Sequence, residues 1–207
     1  MEAAPSPDGR LKSVRSKFKY PEDSLALESE SHWADWLKEH HAKSAGIWLI
    51  LAKKSTRVGL DYQKILETAI CYGWIDAIRQ SATESTYLQR FTPRARRSIW
   101  SKINCGKAIQ LIEAGEMQAA GLAEVERAKQ DGRWDRAYDR QGDAPIPDDL
   151  AAALKKNKQA RTFFETLNSR NRYAILFRLQ TAQKAETRAR RLAAFLEMLE
   201  QGRKLYP

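Results

Sequence analysis

Between Trp74 and Thr92 the apolar residues stop recurring at helical spacing and begin to alternate, and this change of period restricts the fold more than any other feature of the chain. Trp74, Asp76 and Ile78 are expected on one face of a strand, and Ile75, Ala77 and Arg79 on the other. After the polar stretch 81–85, Tyr87, Gln89 and Phe91 alternate with Leu88, Arg90 and Thr92 until Pro93 stops the run, which predicts a hairpin. Upstream, Ser31 is expected to cap a helix whose Trp33, Trp36, Leu37 and His40 recur at i, i+3, i+4 and i+7. Gly46 ends that region. A strand follows at Ile47-Trp48-Leu49-Ile50-Leu51 and closes on the polar turn Lys53-Lys54-Ser55. A second helix carries Ile65, Leu66, Ala69 and Ile70 from an Asp61 cap to Gly73.

Beyond Pro93 the pattern is helical throughout. Ser98 to Ile103 reads as a short turn or helix, and Asn104 as the cap of a segment with Ala108, Leu111 and Ile112. Another helix spans 120–130. The Gly- and Pro-containing stretch 139–147 reads as a linker. Helices then follow over 148–156, 159–167, 170–181 and 185–201. The expected class is α+β: a small antiparallel sheet (the hairpin plus one or two strands) packed by helices, then an α-helical C-terminal module. The corresponding divisions are a flexible basic arm at 1–20, an α+β domain at 21–138, the linker, and the module at 148–207.

Charge narrows the function. The 36 Lys and Arg outnumber 26 Asp and Glu, a net of +10, which favours an anionic ligand or nucleic acid as partner. The chain has no apolar run of about 18 residues that would span a membrane. The polar residues 1–19 lack the apolar core of a secretory signal, so a cytoplasmic protein is expected. Two cysteines exclude a disulfide scaffold and lack metal-ligand spacing. His32 and His40 share a helical face but are too far apart to close a metal shell, so neither metal nor cofactor is expected.

Arg90, Arg94, Arg96, Arg97 and Lys102 place five cations within thirteen residues, interleaved with Phe91 and Trp100. Guanidinium forks match phosphate or carboxylate, and an aromatic ring beside them can stack a ligand. Ser98 or Asn104 at a helix start would add amide donors, and Asp76 beside Trp74 would pair with Arg90 or Arg94. The competing reading makes the same arginines a staple between sheet and helix, with Trp74 and Trp100 as core. Lys184, Arg188 and Arg191 form a basic stripe on the last helix, readable as a polyanion surface or as a solvated face.

Three runs carry a family resemblance: Cys71-Tyr72-Gly73-Trp74-Ile75-Asp76, Arg90-Phe91-Thr92-Pro93-Arg94 and Ser98-Ile99-Trp100-Ser101-Lys102-Ile103-Asn104. With Ile146-Pro147-Asp148-Asp149-Leu150 and Glu186-Thr187-Arg188-Ala189-Arg190-Arg191, they make residues 30–207 resemble the YdeI/OmpD-associated, or bacteriocin-protection, family. The resemblance implies a role in bacterial stress or antimicrobial-peptide protection and supplies no catalytic residues. The leading expectation is a non-enzymatic binding protein. Nucleic-acid binding through the arginine segment and basic helices is second. An enzyme on an anionic small molecule, with Asp76 as acid or base, is third.

Overall fold

A computed structural model describes residues 18–53 and 60–207. The basic arm assigned to 1–20 falls mainly outside the described residues, as do Lys54 and Ser55 of the expected turn. The chain divides into two compact units. One comprises residues up to Ile65 together with Asp76–Thr92, and the other Leu66–Ile75 together with Pro93–Pro207.

The first unit is built on β1 (Ser24–Ala26), α1 (Glu30–His40), β2 (Ile47–Ala52), the first turn of α2 (Tyr62–Cys71), most of β3 (Trp74–Ser81) and β4 (Thr86–Pro93). The sheet runs β1-β2-β4-β3. Strands β2 and β4 are antiparallel, with Ile47 opposite Phe91 and Leu51 opposite Tyr87. Strand β1 lies parallel to β2, so the sheet of this α+β fold is mixed rather than wholly antiparallel. Three residues are too short a run to display a period, which hid β1 from the sequence. Ile47, Leu49 and Leu51 alternate inward along β2. Trp33 of α1 is fully buried, packs 5.5 Å from Phe91, and donates its indole N–H to Ile65 O at 3.0 Å. Ser29, not Ser31, caps α1: its hydroxyl accepts the amide of His32 at 3.1 Å.

The alternation expected in β3 does not persist. Ile78, placed with Trp74 on one face, is 64% exposed: β3 is an edge strand, and none of the described residues covers its second half.

The second unit holds the rest of α2, then α3 (Lys102–Glu113), α4 (Ala119–Gln130), α5 (Asp148–Lys156), α6 (Lys158–Thr166), α7 (Ser169–Gln180) and α8 (Ala185–Glu200). Helices α5 to α8 share one core of Leu150, Leu154, Phe164, Ile175, Leu179 and Leu199. Their starts are set locally. Asn157 and Asn168 accept the amides of Ala160 and Asn171. Asp148 and Asp149 sit in the first turn of α5 and Lys155 and Lys156 in its last, matching the helix dipole at both ends. Among the described residues no helix is long and apolar enough to cross a membrane.

Candidate functional site

The arginine segment lies where β4 ends, and the residues expected to form one site fall into both units. In the second unit, Arg94 is 5% exposed. Its guanidinium lies 3.6 Å from the centroid of the Trp100 ring and donates to Ile99 O at 3.3 Å, while its amide donates to Gly73 O at 3.0 Å. Trp100 packs in turn on Trp134, ring centroids 5.0 Å apart. Trp74 is also buried. A buried guanidinium stacked on a buried indole braces the backbone that carries it.

Two arginines fasten the same loop. Arg127 donates to Arg94 O at 3.2 Å, and Arg133 to Ser98 O at 2.8 Å. Both converge on the buried carboxylate of Glu124: Arg133 Nη1 reaches Oε1 at 3.1 Å, and Arg127 Nη2 bonds Oε2. Only Asp131 among the other described residues pairs with Arg133, through Nε at 2.7 Å. This network was not foreseen. Its one sequence signal is the i, i+3 pair Glu124/Arg127 on α4, and spacing says nothing of Arg133.

The loop projects Arg96 and Arg97 outward. Both are exposed, and neither takes part in an ion pair or hydrogen bond among the described residues. Asn104 is not a cap: it lies inside α3, and its amide donates to the hydroxyl of Ser101, which caps the helix, at 3.1 Å. Lys102 pairs with Asp139 at 2.7 Å.

In the first unit the expected partnership of Asp76 with Arg90 does not form. Asp76 accepts the phenol of Tyr62 at 2.6 Å, and Arg90 pairs with Asp23 while approaching the Trp48 ring at 5.6 Å. Burial, and then the hydrogen bond to Asp76, push the Tyr62 phenol far above its ordinary range. Burial likewise pushes the thiols of Cys71 and Cys105 up to about 11, so both are protonated core groups near neutrality. Among the described residues no group of three His, Cys, Asp or Glu comes together as a metal site would require.

The basic stripe of α8 is largely turned to internal use. Arg188 grips Asp149 through two hydrogen bonds of 2.7 and 2.8 Å and donates to Leu179 O at 2.6 Å. Arg191 donates to Arg178 O at 2.5 Å, and Lys184 alone of the three is exposed. The hydrogen bonds from Arg188 hold the Asp149 carboxyl below the usual carboxylate range. A depressed folded pKa stabilises the protein above the unfolded value of about 4, and that contribution is lost as pH falls through the folded value. Arg188→Ala is therefore expected to cost about 1 kcal/mol at pH 7, since the pair is about one-third exposed. In urea unfolding the difference from the parent should shrink at pH 3, and a difference that grows there would refute the assignment.

Residues 143–202 match the family model described as "Bacteriocin-protection, YdeI or OmpD-Associated". Residues 25–124 match a second model, described as a domain of unknown function (DUF8412). The runs at Cys71, Arg90 and Ser98 lie within this second match, so the family resemblance rests on the later residues. Comparison with curated proteins and with solved structures gives no match. Helices α5 to α8 all fall within residues 143–202, the stretch over which the chain is similar to the bacteriocin-protection, YdeI or OmpD-associated family.

Proposed function

We propose that this protein is a non-enzymatic binding protein that receives an anionic partner on the loop between β4 and α3. Its place would be bacterial stress or antimicrobial-peptide protection, as the description of its C-terminal domain suggests, and its compartment the cytoplasm. One observation carries the reading. Arg96 and Arg97 stand exposed and, among the described residues, unpaired on a loop whose backbone is fastened at Ser98 and Ile99 by the buried Arg133 and Arg94 and at Arg94 by the half-buried Arg127. A guanidinium pair held on a rigid support loses little conformational entropy on meeting a phosphate or carboxylate. Arg94 and Trp100 belong to the support and Arg96 and Arg97 to the contact, so staple and anion site coexist in one segment.

Nucleic acid is the second reading. It is favoured by the exposed Lys155, Lys156, Lys158 and Arg161 across the junction of α5 and α6. Both are tested by titrating inorganic phosphate, and labelled single- and double-stranded oligonucleotides, at about 50 and 200 mM salt. Binding that weakens as salt rises is expected, with at least a tenfold loss in the Arg96→Ala/Arg97→Ala variant at an unchanged thermal midpoint. If no probe binds at low salt, or the variant binds as well as the parent, the loop is not the site. Steep salt dependence for the oligonucleotides alone would put nucleic acid first.

A further inference from the structure

Helix α7 presents Arg170, Tyr173, Phe177 and Arg178 along one face, and the segment after α8 is drawn back onto it. The anchor is Asn171, which is 1% exposed. Its Oδ1 accepts the amide of Tyr206 at 2.9 Å, and its Nδ2 donates to the carbonyl of Tyr206 at 3.2 Å. A buried carboxamide that uses both its acceptor and a donor on one residue's backbone fixes that residue as a strand partner would.

The clamp sets the Tyr206 ring beside two guanidiniums, with Arg170 Cζ 4.4 Å and Arg178 Cζ 5.7 Å from its centroid. Arg178 donates to the Tyr206 hydroxyl at 3.1 Å, and this bond draws the phenol below its ordinary pKa. The facing wall is equally held. Tyr173 donates its hydroxyl to Asp139 O at 2.9 Å, and Phe177 packs edge-on against Tyr138 at 4.9 Å. Arg170, Tyr173, Phe177, Arg178 and Tyr206, with Gln141, line an open cavity of about 380 Å³, near the lower end of small-molecule sites.

We infer that this cavity binds a small planar aromatic anion, a ring carrying a carboxylate or a phosphate. Three aromatic side chains supply stacking surface. Arg170 and Arg178 supply charge that no carboxylate neutralises, since neither enters an ion pair among the described residues. In such a site the ring would stack on the wall while the anion takes the free N–H groups of the guanidiniums. The positive field of two arginines against one phenol is what a bound anion would relieve. The described residues that line the cavity all belong to the second unit, and none of them to the Arg96–Arg97 loop.

Calorimetric titration with three probes tests this: adenosine 5′-monophosphate for ring plus phosphate, indole-3-acetate for ring plus carboxylate, and inorganic phosphate for the anion without a ring. At least one ring anion should bind with Kd below about 1 mM, and inorganic phosphate at least tenfold more weakly. Arg170→Ala and Tyr206→Leu should each weaken ring-anion binding at least tenfold, while Tyr206→Phe, which keeps the ring, retains it. The Tyr206 variants leave the Asn171 clamp intact because it grips only backbone, and circular dichroism verifies the fold. Arg96→Ala/Arg97→Ala should leave this binding unchanged, which separates the cavity from the loop. The inference fails if neither ring anion binds, if inorganic phosphate binds equally well, or if Arg170→Ala has no effect.

Discussion

Glu124→Ala is expected to lower the free energy of unfolding by about 3–5 kcal/mol, the cost of leaving a buried cation without its partner. The Glu124 and Arg133 side chains are 6% and 5% exposed, and Glu124 also holds Arg127. Without the carboxylate, the one counter-charge left to Arg133 among the described residues is Asp131, which is 42% exposed and so weaker. The loss therefore belongs near the lower end of the range. Urea unfolding measures it, and Glu124→Leu/Arg133→Leu should recover a large part because it removes both charges together. A loss under about 1 kcal/mol would mean that Asp131 alone compensates Arg133. The same variant should loosen the loop, since Arg127 and Arg133 carry the hydrogen bonds to Arg94 O and Ser98 O. Faster proteolysis at Arg96 or Arg97 would register that.

The second large effect is steric. Gly121 lies in the first turn of α4, and a Cβ there would stand 2.2 Å from Cys71 O and 2.8 Å from Cys71 C and Ile70 O. All three are backbone atoms, so no rotamer change relieves the contact. Gly121→Ala is expected to cost about 3 kcal/mol or more, or to prevent native packing of α4 against the end of α2. Gly106 provides a matched control in α3. Nothing lies within 4 Å of a Cβ built there, so Gly106→Ala should gain about 0.5–1 kcal/mol from helix propensity alone. Opposite signs for the same substitution in neighbouring helices would establish that close approach, not glycine itself, sets the first result. Equal thermal shifts would refute it.

Where the sequence was legible, a period or a stop signal repeated over several residues. The helix-to-strand switch at Trp74, the strand at Ile47, and Gly73 closing α2 at φ +74° are of this kind. What stayed hidden depends on partners far apart along the chain. Ser29 and Ser31 are equivalent cap candidates by type, and only geometry selects Ser29. Arg90 found Asp23 beside a three-residue strand with no pattern of its own, and Asp76 found Tyr62 at the start of a helix. Arg188 is matched to Asp149 across 39 residues, so a stripe that reads as solvated charge is in part a clasp. In the arginine segment, residue types alone do not say which side chains are buried and which face outward. Burial separates them, with Arg94 inside against Trp100 and Arg96 and Arg97 exposed.

Leu66–Ile75 belongs with residues that begin only at Pro93, and Gly121 meets the backbone of Cys71. A ribosome adding about 5–20 residues per second delivers the end of α2 several seconds before α4 can reach it. Through that interval Leu66, Ala69 and Ile70, all buried in the finished protein, wait for a surface not yet made. Pausing between these two stretches would prolong that exposed nascent state, so slowing translation over residues 76–121 by synonymous codons is expected to lower the recovery of native protein.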